Sequence, residues 1–208
     1  MRLIFNKEHK LIFQNMSDAA PELKSMFVYF LNAIKSNFPY PSKEKGLMTS
    51  FAVSEMMQDY IKETKNQINV TCKAGCSYCC HTVFKVTESE AKVLADSVKS
   101  NSLPIDREKL KMQSRALKSV TDKNWNNLSY EEKRCVFLDE NNMCSAYHIK
   151  PYVCSTYIVD TPKENCHEAS KKQTRVITAI KPGALVLAAQ QNEKIGPLPV
   201  MLEKELKS

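Results

Sequence analysis

The chain has 208 residues, 43% of them hydrophobic and 25% charged, a composition suited to one domain with its own core plus a helical extension. With only four glycines and no G-x-G-x-x-G or G-x-x-x-x-G-K-[ST] run, it lacks the loops that cradle nucleotide phosphates. The net charge of +7 comes from lysines scattered among glutamates, without a basic block. That pattern predicts a solvated mixed-charge surface and speaks against nucleic acid as a partner.

The first residues, MRLIFNKEHKLIF, carry short apolar runs broken by Lys7, Glu8, His9 and Lys10. They match neither a secretory segment nor a membrane span, so the sequence predicts a cytoplasmic protein without membrane contact. Thiols are kept reduced in that compartment, and clustered cysteines there point to metal binding or catalysis before disulfides.

A first helix is predicted within residues 17–39, capped by Ser17 or Asp18, with Pro21 in its first turn. Leu23, Met26, Phe27, Phe30, Leu31 and Ile34 form its apolar stripe, and Pro39 and Pro41 end it. A second helix is predicted over 50–65, with Val53, Met56, Met57, Tyr60 and Ile61 on one face and the two methionines as core filling. Further along, Thr87 and Glu90 make a capping-box pattern ahead of Ala91, Leu94, Ala95 and Val98. A fourth helix follows Pro104, over 106–120, and 121–130 reads as a loop in which Trp125 is a lid or a packing anchor.

Beyond residue 134 the pattern becomes irregular. Asp139 to Asn142 read as a tight turn between Cys135 and Cys144, and Pro151 interrupts any helix. Residues 175–180 suggest a short strand and 184–191 a helix. Gly196, Pro197 and Pro199 then separate these from a last helix near 200–207. The expected fold class is mainly α: a helical domain around an irregular cysteine-ligated metal centre, with a short β-hairpin. The expected division is an N-terminal helical segment over 1–66, a cysteine-cluster metal-binding domain over 67–170, and a strand/helix extension over 171–208 packing on it.

All eight cysteines lie between residues 72 and 166. Cys72, Cys76, Cys79 and Cys80 have the spacing C-x3-C-x2-C-C; Cys135, Cys144, Cys154 and Cys166 follow in a second segment. Thiols serving only as small core residues would not be so confined, and all eight are candidate metal ligands. Gly75 supplies the turn that lets two thiolates face one centre. Side chains of adjacent residues diverge, so Cys79 and Cys80 are expected to serve different sites, or one of them to remain a reactive thiol. Lys73, Lys85 and His81 would favour the thiolate.

Eight thiols allow two four-cysteine zinc sites, or one [4Fe-4S] cluster with a zinc site or free thiols beside it. C-x3-C-x2-C is also the cluster spacing of radical S-adenosylmethionine enzymes, but the 128 residues after Cys80 are too few for their repeated β/α units. Among His81, His148 and His167, the last is the best candidate for an additional ligand because it adjoins Cys166. Asp139, Glu140, Asp160 and Glu164 sit in turns and read as solvated surface. A Cys80–His148 nucleophile pair has no local motif behind it.

The runs CKAGCSYCC, CVFLDENNMC, AYHIKPYVC and ENC together resemble the YkgJ-like family of bacterial cysteine-cluster proteins, described as zinc- or iron-chelating. The resemblance spans about residues 72–166. It implies a metal-binding role and, through a more distant similarity to flagellin lysine methylases, an iron–sulfur-dependent protein-modifying activity. Lys150 and Ser155 stand where the family commonly has arginine, which puts a substrate or anion contact there in question. Three readings follow. One is a metal-binding cysteine-cluster protein, with zinc or a [4Fe-4S] cluster, whose metal nucleates the domain. Another is a [4Fe-4S]-dependent enzyme, such as a lysine methylase. The third is a zinc-stabilised module that binds a protein or nucleic-acid partner.

Overall fold

A computed structural model describes residues 21–117 and 123–208. Helix α1 spans Pro21–Asn37 and α2 Lys43–Glu63. Strand β1 (Lys85–Thr87) leads into α3 (Glu88–Lys99), and α4 covers Arg107–Leu117. Two single turns follow, α5 (Lys123–Asn126) and α6 (Tyr130–Lys133), then α7 at Tyr152–Thr156. The chain closes with α8 (Ile180–Ala189), β2 (Ile195–Pro197) and α9 (Leu198–Lys207). The mainly helical expectation holds. Among the described residues, no helix is long and apolar enough to cross a membrane.

Two apolar clusters organise the helices. Phe27, Leu31 and Ile34 of α1 meet Val53 and Met57 of α2 and Ala184, Leu185 and Ala188 of α8, with Tyr152 of α7 at one end. The predicted stripe of α1 is therefore its packing face, and Met57 fills core as expected. The second cluster joins Val86, Leu94, Val98, Leu110, Phe137 and Leu202, and the side chains of Cys135 and Cys144 pack against it. A small third cluster holds Trp125, buried against Ala116 and Leu117, which makes the indole a packing anchor.

A buried polar joint fastens α2 to α3. Lys45 Nζ meets Glu193 Oε1 at 2.6 Å with side-chain exposures of 4% and 0%, and Ser89 donates to the same carboxylate from its backbone N–H and hydroxyl. Gly46 permits the close approach: a Cβ there would lie 2.4 Å from the Ser89 carbonyl oxygen. The predicted capping box is present, with the Thr87 hydroxyl accepting from Glu90 N–H and the Glu90 carboxylate accepting from Thr87 N–H. That carboxylate also accepts from Tyr152 N–H at 2.7 Å, tying α3 to the stretch before Cys154.

Several expectations change. Helix α2 starts at Lys43, capped by Ser42, because the Ser42 hydroxyl accepts from Lys45 N–H well ahead of the apolar stripe. Residues 123–126 and 130–133 of the expected loop form helical turns, the second closed by a Ser129–Glu132 capping box. The strand expected at 175–180 is a single bridge between Val159 and Val176, since Ile158 N–H turns back to Thr156 and no ladder extends. The sheet instead pairs β1 with β2, antiparallel, with Val86 opposite Gly196. These strands are far apart in sequence, and the hairpin-like feature is the Leu138–Cys144 bridge around the Asp139 turn. Ser17, Asp18 and residues 118–122 of the predicted elements lie outside the described residues.

Candidate metal centre

The first cysteine segment is a loop strapped at both ends. Thr71 N–H donates to Val159 carbonyl and Thr71 Oγ1 to Thr161 carbonyl, while Val159 N–H points to Cys72 Sγ at 3.4 Å. Gly75 takes φ +76, so the turn closes with Cys76 N–H on the Lys73 carbonyl. A 3-10 turn, Tyr78–His81, then carries Cys79 and Cys80, and Cys135 N–H donates to the Cys80 carbonyl at 2.8 Å. That last bond joins the two cysteine segments directly.

In the second segment, Asp139 Oδ1 accepts from Asn141 and Met143 N–H, and Asn142 takes φ 60. This turn brings Cys144 back beside Leu138, next to Cys135. Cys154 sits on α7, and Cys166 ends a 3-10 turn, Lys163–Cys166, that packs on the Tyr78–His81 turn. Lys133 Nζ closes the arrangement by reaching Glu168 at 2.7 Å.

All eight cysteines are free thiols of intermediate exposure. Their mutual electrostatic influence sorts them into two neighbourhoods. Cys135 feels Cys144, Cys154 feels both, and all three feel Cys79. Cys166 feels Cys79, Cys72 and Cys76, and Cys76 in turn feels Cys72 and Cys79. Cys79 thus borders both groups, and a hydrogen bond with Cys80 is the leading cause that raises its thiol above the usual range. Burial pushes Cys135 up to about 11 and Cys154 well above its ordinary value. Backbone N–H groups oppose that effect: Tyr78 at Cys76, Phe137 at Cys135 and Ala146 at Cys144. The Thr174 hydroxyl does the same for Cys166.

Among the described residues, no three cysteine, histidine or carboxylate side chains are drawn together closely enough to hold an ion. The chemistry of the donor set nevertheless fits a thiophilic metal: soft sulfurs in two adjoining groups, several already facing N–H donors that stabilise the thiolate.

The histidines sort themselves by tautomer. His81 Nδ1 lies 3.0 Å from the Ser77 carbonyl and must donate to it, leaving Nε2 as an acceptor; burial holds its pKa below the ordinary value. That is the form in which imidazole ligates a metal. His167 Nδ1 instead accepts from Ala169 N–H, which puts its proton on Nε2. Geometry therefore favours His81 over His167, the reverse of the order suggested by adjacency to Cys166. Both rings stack on Tyr130, at 3.8 Å and 4.6 Å between centroids. His148 is exposed, edge-on to Tyr147.

Asp139 builds its turn and Asp160 pairs with Arg175 at 2.6 Å, while Glu140 and Glu164 are exposed. At the two positions where arginine was expected, Lys150 Nζ sits 4.2 Å over the Tyr147 ring, and Ser155 is buried with a hydroxyl that has no partner among the described residues. Sequence reasoning missed Tyr130, whose ring partners His81 and His167 come from distant segments, and Arg134, whose partners Glu131, Asp139 and Asn142 are local but follow no motif.

Neither a curated protein nor a solved structure matches the chain. The family model described as "CxxCxxCC: Putative zinc- or iron-chelating domain" matches residues 71–176, from the strap at Thr71 to the bridge at Val176. The chain belongs to this zinc- or iron-chelating cysteine-cluster family.

Proposed function

We propose that this is a cytoplasmic metalloprotein in which thiolates hold zinc or a [4Fe-4S] cluster, and that metal binding completes the fold of residues 71–81 and 134–167. The observation that carries the reading is the joining of two remote cysteine segments by the Cys135–Cys80 backbone bond, with all eight thiols free and partly buried around it. Cys79, Cys135, Cys144 and Cys154 make one candidate ligand set and Cys72, Cys76 and Cys166 belong to the other; Cys80, hydrogen-bonded to Cys79, is its fourth member by elimination alone. Free thiols in this number suit a reducing compartment. Bound zinc would supply a cross-link between segments, whereas a cluster would add electron transfer.

The test is metal content of single Cys→Ser variants. Loss of metal from C135S and C76S supports the two sets, and loss confined to one group of four assigns a centre to that group. Full metal content in both variants contradicts the reading. A colourless zinc protein would favour a structural or interaction role, and a brown, oxygen-sensitive protein would favour the protein-modifying reading.

A further inference from the structure

A polar cavity of about 300 Å³ opens beside Cys76. Arg134 and Lys163 are cationic groups on its wall, and Glu131 is the one carboxylate there among the described residues. Glu131 is 69% exposed and lies 3.5 Å from Arg134 and 3.4 Å from Lys109, so it is a loose partner that an arriving anion can displace. The Arg134 side chain is 18% exposed. Its Nη2 donates to the Asp139 carbonyl and faces Asn142 Oδ1, which fixes the guanidinium plane, while its buried Nε–H has no acceptor among the described residues. Beside this cation the Tyr130 and His81 rings, stacked on each other within 5° of parallel, line the cavity as one aromatic wall. The rim at Gly75 is open, since a Cβ there would meet nothing within 4 Å.

We propose that this cavity binds a small-molecule oxyanion, its carboxylate or phosphate head held by Arg134 and Lys163 with its body along the Tyr130–His81 wall. With Nη2 held on the Asp139 carbonyl, Nη1, whose partner is the exposed Glu131 carboxylate, is the guanidinium donor left to meet either head group. The volume is at the low end for small-molecule sites, enough for a head group and a short body. The site rests on the proposed function in that Cys76 and His81 line it and the metal is taken to complete these segments, so it is tested on the metal-loaded chain.

The test is an NMR titration of the full chain, as purified with its metal, with inorganic phosphate and separately with acetate. Ionic strength is held constant with chloride, metal content is checked before and after, and the Tyr130 ring signals are followed. Saturable shifts are expected with phosphate, acetate or both, and the pattern identifies the head group. Affinity should fall about tenfold in K163Q and in R134K, which keeps the charge but loses the planar fork. K99Q, on α3 away from the cavity, should match the parent chain. Absence of saturable shifts with either anion, or equal affinity in K163Q and the parent chain, overturns the proposal. Because K163Q leaves the Arg134 contacts intact, it stays decisive if R134K folds poorly.

Discussion

Helices α1, α2 and α8 meet through Phe27, Leu31, Val53 and Leu185, all buried, whereas the cysteine segments meet through backbone hydrogen bonds, short turns and half-buried thiols. The first region follows the ordinary logic of apolar stripes facing one another. The second has 3-10 turns of three or four residues and two isolated bridges, Leu138–Cys144 and Val159–Val176, elements too short to stand on their own burial. What differs is the visible source of order: hydrophobic area in one region, and in the other backbone hydrogen bonds and short turns, to which the proposed metal would add a cross-link. Small metal-bound regions routinely obtain their folding energy from the metal.

Removing the metal separates the two regions most strongly. Structural zinc supplies roughly 10–16 kcal/mol of apparent binding energy, so chelation should release residues 71–81 and 134–167 while α1, α2 and α8 stay folded. Hydrogen exchange should rise in the cysteine segments alone; uniform exchange throughout the chain would erase the distinction. Affinity for the metal should also fall as pH drops. Burial raises the thiols of Cys76, Cys135, Cys144 and Cys154, so protons must leave when the metal enters, and acid favours their return. Proton release on binding, measured by calorimetry in buffers of different ionisation enthalpy, checks the sign.

The helical region breaks differently. Lys45→Met leaves the Glu193 carboxylate buried without its cation and should cost about 3–5 kcal/mol in denaturant unfolding, with metal content unchanged. Gly46→Ala pushes a methyl group into the Ser89 carbonyl. It should destabilise by about 1–3 kcal/mol, despite the gain of up to about 1 kcal/mol in helix propensity.

The smallest effect is a pH slope. Burial raises the Glu90 carboxyl to about 7, above its ordinary value of 4.5. A carboxyl raised on folding contributes stability that is fully present below its unfolded pKa and is lost as pH rises through about 7. Between pH 6 and 8 the parent chain should therefore lose about 1 kcal/mol that Glu90→Gln does not. Parallel stability curves for the two proteins over that range would show that Glu90 does not titrate there.

Much of the helical region was legible in the sequence because its signals are local. The stripe from Leu23 to Ile34 and the Thr87–Glu90 capping box lie within a few turns of the residues they organise, whereas Pro199, read as a breaker before the last helix, sits inside the first turn of α9. The β1–β2 pairing and the Lys45–Glu193 joint were not legible, since each links segments far apart in the chain through tertiary packing alone. The candidate site divides the same way. Cysteine spacing announced the thiols and the turn around Asp139, but Tyr130 between His81 and His167, and Arg134 beside Cys76, emerge only when the two segments fold against each other.

The most direct test is anaerobic purification followed by metal analysis and a visible spectrum of the same sample. A thiolate metal centre predicts either one or two zinc ions per colourless chain, or iron with acid-labile sulfide and a broad visible band. A well-folded chain with protected cysteine segments and neither metal would contradict it.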